Sequence, residues 1–183
     1  ELNTPTRVTL KPVNNGGEGY KIVNDANPNE FYVVECYDKS GWNKYAPAEG
    51  MLITHVDYLK SAWQDNIVNT DPKHPRATII PADGKLTTQT LASDTYPGST
   101  KNTELTASSN PASMVYTGGY MNKDITNITS EDGSVTFDFM QGVIQAPNLH
   151  SPTNILSTSF TITWDPVEEA DSYDVRLDFV DEY

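Results

Sequence analysis

Two apolar runs of strand length, 31–36 and 51–56, flank a loop built from turn residues, and together they limit what this chain can become. FYVVEC and MLITHV are rich in β-branched and aromatic residues, yet each is too short for a core helix. Ser40-Gly41 and Pro47-Ala48-Glu49-Gly50 are turn chemistry, so the natural reading is two strands joined by an aromatic-rich loop. After Val56, Asp57 reads as the N-cap of a short helix over 58–63, which Asp65-Asn66 ends.

The same pattern recurs along the chain. Strands are predicted over 7–13, 20–23, 77–80, 113–116, 125–128 and 135–139, with Val135, Phe137 and Phe139 on one face of the last. The fold class is therefore mainly β: an antiparallel, sandwich-like domain with one short helix. Thr, Ser, Asn and Gly dominate 83–111, which reads as a long surface loop needing an anchor from a ligand or a neighbouring domain. The best boundary is 146–152, with two prolines, giving domains 1–145 and 146–183. Beyond it, SFTITWDP and ADSYDV resemble the first strands of a fibronectin type III domain, cut short. Phe160, Ile162 and Trp164 would alternate inward there.

A net charge of −13 argues against nucleic acid or an anionic membrane as partner. No run is long enough for a membrane span. The single cysteine, Cys36, rules out an internal disulfide and a cysteine-only zinc site. With no signal peptide, and a strand close behind Glu1, the chain reads as a piece excised from a longer exported precursor.

Several motifs fall in a definite order. They are Glu30-Phe31-Tyr32-x-x-Glu35, Gly41-Trp42, Pro47-x-x-Gly50-Met51-Leu52-Ile53-x-His55-Val56-Asp57-Tyr58, Trp63-x-x-Asn66 and Val68-Asn69. His74-Pro75-Arg76, Ile79-Ile80-Pro81-Ala82-Asp83-Gly84 and Asp94-Thr95-Tyr96-Pro97-Gly98 follow. In this order and spacing they resemble the segment after the catalytic helix of secreted M6 (immune-inhibitor-A-like) zinc metalloproteases. The resemblance ends near 125–139. It departs at Glu35-Cys36-Tyr37, where that family commonly has Glu-Asn-Arg, and at Ala48, where glycine is frequent. It implies a bacterial, secreted or cell-surface parent with zinc-dependent endopeptidase activity, and a catalytic domain of the same precursor as partner.

A zinc protease of that kind needs two histidines one helical turn apart with a glutamate between them. The three histidines here, His55, His74 and His150, include no HExxH pair, so no cofactor is expected in this piece and it is expected to be inactive. His55 and Asp57 share a strand face. The favoured reading is structural, with the imidazole and carboxylate bonding to backbone or bracing the helix. The alternative is metal ligation or a contact to the catalytic part. Cys36 with His74 suggests a thiol nucleophile, but the apolar strand around Cys36 favours an inert thiol.

Asp65, Asp71, Asp83, Asp94, Glu131 and Asp132 are calcium-type oxygen ligands in loops. Solvated carboxylates are the simpler reading. Asp83 and Asp94 are the better candidates because they bracket the polar stretch. Trp42, Tyr45 and Tyr96 could form a stacking platform for sugar or pack beneath the loop, the second being favoured. Two functions result. One is a non-catalytic C-terminal piece of an M6-like endopeptidase that packs on its catalytic domain. The other is a cell-surface β-sandwich module that recognises a host or surface protein or glycan through exposed aromatics.

Overall fold

The strand pairings close a ring of sequence: the first strand, β1 (Thr6–Leu10), lies antiparallel to the last, β7 (Ser134–Phe139). The computed structural model describes residues 1–141 and 147–167, with Tyr173 and Val175. Its contacts divide the chain into units 1–141 and 142–183.

In the first unit, β2 (Tyr20–Asn24), β3 (Asn27–Tyr37), β4 (Gly50–Asp57) and β5 (Ala77–Ile79) form one antiparallel sheet in chain order. The second sheet runs β1-β7-β6, where β6 is Ile125–Glu131. Alternate residues of both sheets, among them Leu10, Val34, Ile53, Ile128 and Phe137, enter one shared hydrophobic core. Burying each such side chain contributes roughly 1.5–3 kcal/mol. The predicted class holds: mainly β, antiparallel and sandwich-like, with one short α-helix among the described residues, α1 (Lys60–Gln64). No helix among those residues is long and apolar enough to cross a membrane.

Three local expectations are corrected. The helix does not begin at Tyr58 and Asp57 does not cap it; Leu59 holds the N-cap position with no side-chain bond. Residues 57 and 58 are still tied to the sheet, since Asp57 N–H donates to Arg76 O (2.8 Å) and Tyr58 N–H to Asn29 O (2.8 Å). The segment 113–116 is not a strand: its backbone groups bond to scattered loop positions and to side chains, and Met114 makes only an isolated bridge with Tyr120. Tyr32 O–H donates to Met114 O (2.6 Å), and Tyr116 N–H donates to the Glu30 carboxylate (2.6 Å).

The polar stretch 83–111 is irregular, but it is not only surface. Tyr96 exchanges two backbone hydrogen bonds with Met51 (2.8 Å each), and Leu105 does so with Ile125 (2.8 and 3.1 Å). Both side chains join the core. Gly50 makes the first crossing possible: its φ is 124°, and a Cβ there would lie 2.7 Å from Tyr96 O.

The second unit shows two isolated antiparallel bridges, Leu149 with Trp164 and Thr153 with Thr161. Phe160 is exposed, while Ile162 and Trp164 are half-buried, and the Trp164 ring packs on Tyr173 at 5.4 Å. Most of the expected strand 170–175, like Ala146 of the boundary, lies outside the described residues.

Candidate functional site

The inward face of β3 and β4 changes character along its length. Register pairs Cys36 with Met51, Val34 with Ile53, Tyr32 with His55 and Glu30 with Asp57. Period-two alternation keeps all eight on the buried face, so one apolar ladder ends in ionisable groups. Two like charges directly opposite each other destabilise a sheet unless something answers them.

Each carboxylate is answered separately. Glu30 is fully buried; its Oε1 accepts from His55 Nε2 (2.8 Å) and Tyr116 N–H (2.6 Å), and its Oε2 from Thr117 N–H and Asn24 Nδ2 (3.0 Å each). Burial alone would raise this carboxyl's pKa, but the Tyr116, Thr117, His55 and Asn24 donors together hold it below the ordinary glutamate value. Asp57 Oδ2 accepts from His74 Nε2 (2.8 Å) and from Arg76 Nη1. Between the imidazoles lies the Tyr116 ring, stacked 5.1 Å from His55 and 3.8 Å from His74, with its hydroxyl donating to Pro75 O (3.0 Å). The result is a three-ring stack with a carboxylate gripping the outer ring on either side.

This arrangement orients and neutralises. Its histidines do not fit the zinc that the sequence resemblance implies for the parent. Tyr116 separates the two imidazoles, and each Nε2 is already committed to its own carboxylate. Among the described residues, no group of three or more His, Cys, Asp or Glu could hold a metal ion. The hydrogen-bonding partners of the two imidazoles among the described residues are carboxylates, not Ser, Thr or Cys side chains.

Cys36 sits at the opposite end of the face from His74's partner, its Sγ 3.4 Å from Gly133 O, and burial pushes its pKa up to about 11. It is a buried thiol, as the favoured reading expected, and among the described residues the alternative pairing with His74 does not form. The structural reading of His55 and Asp57 gains its partners, which are side chains of strand and loop; neither residue braces the helix.

The aromatic platform does not form. Tyr96 is buried in the core, whereas Trp42 is 99% exposed and Tyr45 projects beside Lys44, so the three neither stack together nor pack beneath the loop. Trp63 is 36% exposed and leans on Tyr58, ring centroids 5.0 Å apart; the only buried residue of α1 is Ala62. Trp63→Ala is therefore expected to cost about 1 kcal/mol, the scale of an aromatic pair, and Trp42→Ala to stay within about 0.5 kcal/mol of the parent. Urea melts decide this, and a Trp63→Ala loss above about 3 kcal/mol would mean the ring is a core group after all.

Of the calcium candidates, Asp83 accepts from the Lys85 N–H (2.8 Å) in a local turn, and Asp71 does the same for Lys73 (2.9 Å). Asp94 is buried, and burial first and the Asp83 charge second push its carboxyl pKa up. A folded pKa above the unfolded one means this group's stability contribution is full below the ordinary aspartate range and is lost as pH rises through the raised value. Asp94→Asn should thus be more stable than the parent at pH 7, by about 1–3 kcal/mol, with the gap closing toward pH 4. Urea midpoints at both pH values measure it; an equal gap at both would show that Asp94 is not the group titrating.

Comparison with protein families, curated proteins and solved structures returned no match for this chain. The site therefore rests on its own geometry. Sequence reading found His55 and Asp57 but did not single out Glu30, Arg76, Asn24 or Tyr116. Glu30 was legible, since counting back by twos from Cys36 lands a carboxylate on the buried face. Tyr116 carried no such signal.

Proposed function

We propose that this chain is the non-catalytic, post-catalytic part of an exported M6-like zinc endopeptidase, a secreted or cell-surface bacterial protein, and that it packs against the catalytic domain of its precursor. The observation that carries the reading is the commitment of five ionisable groups of the motif-bearing segment. Glu30 bonds to His55, and Asp57 to His74 and Arg76, rather than to a reactive space. Such a cluster fixes the position of the segment that follows β4. That segment presents Tyr58, Leu59, Trp63 and Ile67 to the outside, an apolar surface of the kind that partners cover.

Two experiments test this. Incubated with casein and zinc, the purified chain should give no chelator-sensitive cleavage above a mock preparation. Co-expressed with the coding sequence upstream of Glu1, which should contain HExxH, it should copurify with that product, and Tyr58→Ser with Trp63→Ser should abolish the association. Copurification unaffected by the double substitution would place the contact elsewhere, and an upstream sequence consisting only of a signal peptide would overturn the reading. In that case the binding-module reading takes over, because the exposed Trp42 and Tyr45 rings suit a glycan or protein ligand.

A further inference from the structure

A cavity of about 280 Å³ opens between the turn that carries Pro47 and the segment Leu91–Thr95. Tyr37, Leu52, Ile79 and Leu91 give it aromatic and aliphatic walls, and Asp94 lines it as the sole charged group among its lining residues. Asp94 is 5% exposed; no hydrogen bond from the described residues reaches its side chain, and Oδ1 is sealed from solvent without a partner. A buried carboxylate left unpaired is costly, and a native structure that retains one does so for a reason, an outside group that completes it among them.

Three observations narrow what completes it. A hard metal ion takes six or more oxygens, whereas these walls offer mainly carbon, and no metal-type cluster of three side chains exists among the described residues. A neutral apolar ligand would leave Asp94 as it is. The chain's net charge of −13 draws cations toward it. The geometry points to a binding pocket for an alkylammonium or guanidinium group on an aliphatic stem, the chemistry shared by a lysine or arginine side chain and a free alkylamine, with Asp94 as its counter-ion. The stem lies along the walls as long cationic side chains do on apolar surfaces, while the charged head pairs with the Asp94 carboxylate where it lines the cavity. This pocket shares no residue with the histidine cluster and does not depend on the protease reading.

The test is a methyl and amide NMR titration of the whole chain with four probes: n-butylammonium, n-butanol, a terminally blocked Gly-Lys-Gly tripeptide and calcium chloride. Saturable shifts at Leu52, Ile79 and Leu91 are expected with n-butylammonium, and binding of n-butanol should be roughly tenfold weaker or more, the worth of one charge-assisted bond. Asp94→Asn should reduce n-butylammonium to the n-butanol level while Phe137 and Ile53 resonances stay in place, showing an intact core. Tighter binding of the tripeptide assigns the pocket to a protein side chain, and equal binding to a free amine. The proposal is overturned if n-butanol binds as well as n-butylammonium, if Asp94→Asn keeps the affinity, if calcium alone shifts these residues, or if no probe saturates.

Discussion

Glu30→Ala is expected to unfold this chain more readily than substitution of any exposed residue, at a cost of about 3–5 kcal/mol, because it leaves buried charged and polar partners uncompensated. Four donors converge on that carboxylate: His55 Nε2, Asn24 Nδ2 and the backbone N–H groups of Tyr116 and Thr117. Truncation strands all of them at once. Glu30→Gln keeps the shape but turns an NH2 toward donors, so a smaller loss of about 1–3 kcal/mol is expected. The pH dependence carries a sign of its own. A carboxyl held below its ordinary value contributes stability above the ordinary range and loses it as pH falls through the depressed value. The parent should therefore lose stability in acid more steeply than Glu30→Gln. Urea melts of the three proteins between pH 3 and pH 7 test this, and an alanine variant that melts with the parent would remove the cluster from any account of the fold.

The second large effect is at Tyr96. Its ring is fully buried where the polar stretch crosses under Met51, so Tyr96→Ala is expected to cost about 3–5 kcal/mol and to release that crossing. Tyr96→Phe should behave in the opposite way. The hydroxyl is buried with no hydrogen-bond partner, so its removal should be neutral or stabilising by about 1 kcal/mol. Amide hydrogen exchange across 91–105 separates the two variants: protection should be lost with alanine and kept with phenylalanine. A phenylalanine variant as damaged as the alanine one would show that the hydroxyl has a partner.

These two residues also mark how far the sequence could be read. The apolar runs at 31–36 and 51–56 announced a strand pair, and their alternation carried the buried face as far as His55, Asp57 and Glu30. What closes the site could not be read in the same way. Tyr116 reaches Glu30 across 86 residues of chain, and it does so through a backbone N–H, which no side-chain pattern encodes. Tyr96 is a lone aromatic among small polar residues, and nothing nearby in sequence shows that Gly50 has cleared a path for its backbone. Trp63 shows the converse. A large apolar residue on a helix would suit a core anchor, yet this helix of five residues is too short to bury a full face and seats only Ala62.

The pairing of β1 with β7 has a mechanical consequence. Thr6 faces Phe139 and Leu10 faces Val135, so both ends of the first unit leave the sheet on the same side of one ladder. A pull applied through those ends would first peel Leu2 from its bridge with Ile22 and then open the β1–β7 bonds one after another, like a zipper. Bonds loaded in turn yield at a lower force than bonds loaded together in shear. Tension between neighbouring segments would thus strip β1 away before it loads the β3–β4 pair that carries Glu30, His55 and Asp57.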